Sequence, residues 1–534
     1  MRVKHPGRLA FPIITGTVIL LIVTWLAVWQ AGRVSAGAAT PHSPLVLYVS
    51  RQGHDAGNDC RERLSPCSSI PRALLMAQDG DYIHVAEGTY GDTMYDPKLA
   101  MGITATVIIT KNISSLLGGY ATDFSTRDIE ANETMLSAAG IPGAYVAVLV
   151  DTDVRFGGFT LTGGSGAYSP GGYYYPGGAM RIFGGAPTIQ DNKITGNRGY
   201  RRGGAIYLGR GATASILNNQ VVSNTVSAVP GDETSAGGGI FVACGPTLIK
   251  GNQILSNTAQ LEGGGIYVGW NVPVTISNNT IAFNRLLSPW EGLGAGIRVI
   301  GESVVVSIQG NYIHNNSLNL GLEGSAIYTS SPALIEGNRI EANYAPSIRS
   351  AVCVANVSSP LTLTNNLVVD NSSSGVHLVD NADVRLTNNT IAGNHLRGVQ
   401  VRFAAPGILD ASSFSLVNNL IVNNGECGVF VENQGLQVMD YNDVAGHIYQ
   451  YCGFPVILEH NMSLDPAFVD PARSDYHLRP TSPVIDQANP SLASLTDYHG
   501  TLRGQNYTAD MGAYEFVYHK MYLPVLQREP SRIK

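Results

Sequence analysis

The chain has 534 residues, of which 44% are hydrophobic, 8% aromatic and 14% charged. That apolar content excludes a disordered chain, and the low charge excludes a long coiled coil. A net charge of −7 without a basic block argues against a nucleic-acid partner, because a phosphate backbone demands clustered Lys and Arg.

At the N-terminus, Arg2, Lys4 and Arg8 precede a charge-free run from Leu9 to Gly32, followed by the small residues Val34-Ser35-Ala36 and Ala36-Gly37-Ala38. Residues 1–38 read as a signal peptide cut near Ala36 or Ala38. The alternative is an uncleaved membrane anchor, since the run is long enough to span a bilayer. Both readings predict a secreted or cell-surface protein that meets the membrane only through this segment. Six cysteines suit an oxidising destination. Cys60 and Cys67 bracket a short polar loop and make one candidate disulfide; Cys427 and Cys452 make a second. No CxxC pair or His/Cys cluster suggests zinc, so no metal is expected.

The stretch Cys67–Ala77 predicts a short helix with Ser68 or Ser69 as N-cap. Asp79-Gly80-Asp81 then turns into a strand over Tyr82–Ala86. Beyond it, asparagine becomes the informative residue, with 29 of 37 lying between Asn192 and Asn424. They recur in the phrase apolar-x-x-Asn-x-apolar-x-x-Asn, from Ile189/Asn192/Ile194/Asn197 through Ile308/Asn311/Ile313/Asn316 to Leu416/Asn419/Ile421/Asn424. Successive copies are 23 to 33 residues apart. A second phrase interleaves with the first: Gly203-Gly204-Ala205-Ile206-Tyr207, Gly238-Gly239-Ile240-Phe241 and Gly264-Gly265-Ile266-Tyr267, decaying later to Gly375-Val376-His377-Leu378. Each phrase is a short alternating strand bounded by Gly or Asn, and a period of 20 to 50 residues signals stacked repeats. Two clear strands per period, with room for a third, predict coils of a parallel β-solenoid. In such a stack each Asn sits over the next, with donor and acceptor available for turn backbone and neighbouring amides.

This pattern resembles the right-handed parallel β-helix proteins of the pectate-lyase-like superfamily, over roughly Tyr82 to Asn461. The resemblance implies an all-β fold, a single-stranded right-handed parallel β-helix over 45–461 closed by an N-terminal capping helix. Asp465-Pro466-Ala467-Phe468-Val469, Asp475-Tyr476-His477-Leu478 and Asp510-Met511-Gly512-Ala513-Tyr514-Glu515 resemble a C-terminal "choice-of-anchor" segment, placed at 462–516. The tail 517–534 carries Tyr522-Leu523-Pro524-Val525-Leu526, read equally as a sorting or docking strand or as a plain final strand.

Alternation that buries Ile206, Ile240, Ile266, Ile297 and Ile327 turns the next residue of each coil outward. Those residues, Tyr207, Phe241, Tyr267, Arg298 and Tyr328, are expected to form an exposed aromatic stripe interrupted by one cation. Tyr173, Tyr174 and Tyr175 are expected to fold over the same end. The leading expectation is therefore a surface protein binding an extended polysaccharide or cell-surface glycan along that stripe, with no catalysis demonstrated by the sequence. A second outward row aligns Tyr312 with Arg339 and His314 with Glu341. The superfamily's lyases use a Lys or Arg base, commonly beside Ca²⁺ held by several Asp. His314, Arg339, Glu341, Lys193 and Lys250 are thus the candidates for a rival lyase or hydrolase reading, though no Asp cluster aligns with either lysine in sequence. A structural or adhesive rod is the third reading. No cofactor is expected, with weak Ca²⁺ binding in turns left open.

Overall fold

The computed structural model describes residues 43–518, apart from the segments 100–101, 167–175, 210, 229–234, 270–271, 289–291, 302–305, 320–322, 347–348, 358–359, 381–382, 404–412 and 506. The N-terminal segment, Tyr173, Tyr174, Tyr175 and the tail strand Tyr522–Leu526 lie outside the described residues.

Three long sheets run the length of the chain. The first has 14 strands, from Val46–Val49 to Leu436–Asp440; the second has 13, from Gly88–Tyr90 to Asp443–Ala445; the third has 14, from Met94–Asp96 to Tyr449–Gly453. Within these sheets each strand pairs in parallel with its counterpart one coil away, except for the antiparallel pair Met94–Asp96 and Ile103–Ile109. A fourth, five-stranded sheet from Arg198–Tyr200 to Ser317–Leu318 lies between the second and third strands of the middle coils, beyond the three strands per coil expected.

The alternation of apolar residues builds the interior. Ile216, Ile249, Ile276 and Ile308 stack from the first sheet; Ile254, Ile281, Ile313 and Ile340 from the second; Ile240, Ile266, Ile297 and Ile327 from the third, all fully buried. Each such side chain contributes about 1.5–3 kcal/mol through burial. The Asn phrase makes two inner ladders. In one, Asn311 Nδ2 donates to Asn338 Oδ1 at 3.0 Å and to Ile276 O at 2.8 Å. In the other, Asn316 Nδ2 donates to Asn343 Oδ1 at 3.0 Å and to Ile281 O at 2.8 Å. The first ladder continues through Asn442 to Asn461. The second ends at His447, whose Nδ1 accepts from the Asn424 backbone N–H at 3.0 Å in place of an amide oxygen. A further set of asparagines, among them Asn365, Asn388 and Asn418, immediately precedes ladder residues and takes left-handed φ of 52° to 61° to turn the chain. Glycine performs the corresponding turn before the third sheet. Gly263 has φ +55°, and a Cβ there would lie 2.5 Å from Ile266 O.

A helix over Ile70–Met76 closes the first coil. Ser69 is its N-cap, accepting from Arg72 N–H at 3.3 Å, and Ile70, Ala73 and Leu74 face the core. Disulfides join Cys60 to Cys67 and Cys427 to Cys452. No helix among the described residues is long and apolar enough to cross a membrane. The segment compared above with an anchor packs against the solenoid itself. Phe468, Tyr476, Val484, Met511 and Ala513 bury Leu367, Val369, Ala392, Leu420 and Val422 on the outer face of the second sheet. Asn365, Asn388 and Asn418 donate from Nδ2 to Thr496 O, Asp510 O and Asn489 O at 2.7, 3.1 and 3.0 Å.

Candidate functional site

The aromatic row of the third sheet has the expected register. Tyr207, Phe241, Tyr267, Arg298 and Tyr328 are successive partners on neighbouring coils. Its predicted exposure fails for the three middle members, while Tyr207 and Tyr328 are half-buried. Phe241 is 1% exposed, Tyr267 7% and Arg298 4%. The rings stack on one another, Tyr207 on Phe241 at 5.6 Å and 21°, and Phe241 on Tyr267 at 4.6 Å and 8°. Arg202 lies over Phe241 at 5.4 Å and Arg298 over Tyr328 at 4.4 Å. Ala236, Ala243, Cys244 and Ile300 pack against the same group. Burial pushes the Tyr267 hydroxyl up to about 12, helped by the charge of Glu262, and pushes Tyr328 to about 12 as well. The ring faces of Phe241 and Tyr267 are taken up by neighbouring rings and guanidinium groups.

The second sheet does bring Tyr312, His314, Arg339 and Glu341 together. Tyr312 pairs with Arg339 and His314 with Glu341 on adjacent coils. Glu341 is the hub: Oε2 accepts from Arg339 Nε at 2.8 Å and Tyr312 OH at 3.0 Å, and Oε1 accepts from Ser474 Oγ at 2.7 Å. Burial pushes the Glu341 carboxyl up, but these hydrogen bonds and the Arg339 charge outweigh it and hold the group below its ordinary value. With both oxygens engaged, Glu341 serves as a clasp for the C-terminal segment rather than as a free base. His314 stands apart from the clasp, stacking on Tyr312 at 4.1 Å, meeting the edge of Phe283 at 5.4 Å and bonding Asn315 through Nδ1 at 2.7 Å. Phe283 and Tyr312 are both exposed.

From this aromatic cluster the outward row runs back through Thr280, Gln253 and Gln220 to Lys193, one residue per coil. All are exposed except the half-buried Thr280. At about 4.8 Å per coil the row is about 19 Å long. Its Lys193 end opens into a cleft of about 520 Å³ lined by Glu130, Glu133, Asp191, Lys193, Asn218 and Gln220, among others. Sequence spacing offers no Asp cluster beside Lys193, and the acids that line this cleft are two Glu and one Asp. Glu130 and Glu133 arrive from earlier coils, about 60 residues upstream, where sequence spacing gives no cue. Lys250 lies on the first sheet, paired with Leu217 and Ser277, and does not join this site.

A family model described as "right handed beta helix region" matches residues 153–281 and 274–443, more than half of the chain. The chain belongs to the right-handed β-helix family. No curated protein matches its sequence. Among solved structures, a pectate lyase, Pel9A, is similar at 13% identity over 89% of this chain and 97% of its own, with a TM-score of 0.39. XylC in complex with xylose is similar at 11% identity over 89% and 98%, with a TM-score of 0.41. The periplasmic alginate epimerase AlgG is similar at 11% identity over 68% and 78%, with a TM-score of 0.36.

Proposed function

We propose that this β-helix protein binds an extended polysaccharide along the outer face of the second sheet, between the Lys193 cleft and the Tyr312–His314–Phe283 cluster. The observation that carries the reading is the exposed row Lys193, Gln220, Gln253, Thr280 and Tyr312. It offers one hydrogen-bonding side chain per coil, at a spacing comparable with the repeat of an extended glycan, and ends on exposed aromatic rings. The C-terminal segment, clasped at Glu341, bounds the row at that end. Concave sites with a few convergent polar groups are where ligands of this kind are held. The N-terminal segment supports the accompanying proposal that the protein acts outside the cell or on its surface, tested by N-terminal sequencing of the exported product.

A second reading, polysaccharide cleavage, rests on Lys193 sharing its cleft with Glu130, Glu133 and Asp191. Bond cleavage at a sugar is assisted by a side chain placed to take or give a proton in the transition state, and amine and carboxyl groups can do either. A glycan array with the purified protein and its Lys193→Ala, Tyr312→Ala and Lys250→Ala variants separates the possibilities. Binding lost in the first two and kept in Lys250→Ala supports the proposed face; retention in all three sinks it. Bound glycans assayed for unsaturated uronates and new reducing ends distinguish a binder from an enzyme. Absence of any binding leaves the structural rod as the better description.

A further inference from the structure

The outward row of the third sheet changes character after Tyr328. Its next members in register are Cys353, His377 and Gln400. Glu323, in the turn preceding the Tyr328 strand, reaches along this face. Its Oε1 lies 3.0 Å from His377 Nδ1, and its Oε2 accepts from Ser350 Oγ at 2.8 Å. Ligand atoms of Glu323, Cys353 and His377 all fall within 4.8 Å of one another. Cys353 is 0% exposed and His377 7%. The Cys353 thiol is sealed from solvent, and among the described residues His377 Nε2 has no hydrogen-bond partner although Glu432 Oε1 lies 3.8 Å away. A buried imidazole nitrogen therefore stands unsatisfied beside a buried thiol and a carboxylate, which is costly unless something else occupies the group.

We propose that Glu323, Cys353 and His377 form a binding site for a divalent metal ion of the zinc class. Thiolate, imidazole and carboxylate are the three donor types zinc takes, and a thiolate with an imidazole selects against Ca²⁺ and Mg²⁺. Zinc bonds of about 2.0–2.3 Å place tetrahedral ligand atoms about 3.3–3.8 Å apart, a contraction that side-chain rotation supplies. On binding, the Cys353 proton leaves to solvent and the thiolate sulfur takes the ion. One thiolate and one carboxylate then balance the ion's two charges, so the buried site is neutral overall. With Nδ1 of His377 on the metal, Nε2–H points at Glu432, a carboxylate placed to orient the ring. The three ligands come from three successive coils, so the ion bridges them as a cross-link does. Tyr328, Ala355 and Val379 pack around Cys353 and wall the site.

The test uses the full protein, stripped with chelator and titrated with Zn²⁺ against a chromophoric competitor, then separately with Co²⁺ under absorbance. The expected result is one ion per chain, with a near-ultraviolet thiolate-to-cobalt charge-transfer band. Cys353→Ser abolishes the band, and Cys244→Ser, which alters the other free cysteine, leaves it intact. Cys353→Ser and His377→Gln each weaken zinc binding by at least about 100-fold, more than loss of an orienting residue does. Glu323→Gln keeps the side-chain shape and also weakens binding, while circular dichroism of each metal-free variant reports that the fold is retained. A wild-type protein that binds no ion, or a cobalt band unchanged in Cys353→Ser, overturns the proposal.

Discussion

Asn316 offers the sharpest measurement of what the inner ladders contribute. Its Oδ1 accepts from Asn284 twice, from the backbone N–H at 3.1 Å and from Nδ2 at 2.9 Å, and its Nδ2 donates to Ile281 O and Asn343 Oδ1. The side chain is fully buried. Asn316→Ala keeps the backbone N–H that serves Asn343 but strands the Asn284 backbone N–H and one of its amide protons. At about 1–3 kcal/mol per stranded donor, the cost is about 2–6 kcal/mol. Asn316→Asp is worse, because it buries a charge and turns an acceptor toward Asn343 Oδ1. A solenoid unfolds locally as well as globally, so urea unfolding is read together with amide exchange over the coils carrying Asn284, Asn316 and Asn343. A loss below about 1 kcal/mol, no greater than that of exposed Asn319→Ala, refutes the claim that ladder amides are individually required.

Three further outcomes are expected. Gly263→Ala forces a Cβ to 2.5 Å from Ile266 O at φ +55°, and loses about 1–3 kcal/mol by thermal unfolding. Arg503, its side chain 3% exposed, donates to Asn365 Oδ1 at 2.8 Å and Gly512 O at 2.7 Å beside Glu515; Arg503→Met leaves that carboxylate uncompensated and exposes 462–516 to limited proteolysis while the coils resist. His84, stacked on Tyr120 at 4.3 Å, has its pKa lowered from 6.5 to about 4 by burial and by the charge of Arg127. The unfolded chain binds the extra proton first, so this contribution is complete above pH 6.5 and is lost as pH falls toward 4. The full shift corresponds to about 3 kcal/mol, and partial solvent access reduces it to about 1–2. His84→Phe flattens stability over that window, and a parallel pH profile in both proteins contradicts the assignment.

The repeat was readable because its chemistry is local. An apolar residue three positions before an inward Asn can satisfy only one register, and the repeat therefore predicts the stacked asparagines and two strands per coil with room for a third. The helix cap was readable as Ser68 or Ser69 for the same reason, and Ser69 is the one used. Exposure of the outward rows was not, since alternation assigns a side to each residue without saying what covers that side. Phe241 and Tyr267 point away from the core as expected, yet neighbouring rings and Arg202 enclose them. Conversely, the acids beside Lys193 and the segment over Leu367 and Leu420 come from distant parts of the chain. The cue for Cys353 and His377 was present in Gly375-Val376-His377, where the residue after the buried Val continues the row of Tyr328.

The ladders also have a direction. In the two ladders, each asparagine from Asn192 to Asn419 offers its Oδ1 to the coil before it and sends both its backbone N–H and an amide proton toward the coil after it. As the stack grows coil by coil, the last-formed coil displays two pairs of donors awaiting the oxygens that the next coil supplies. Each coil is a template for the next and for nothing earlier, which favours order-by-order growth from the helix-capped end. Growth stops chemically where the pattern stops: Asn461 fills the last position of one ladder, and the imidazole of His447 the last position of the other.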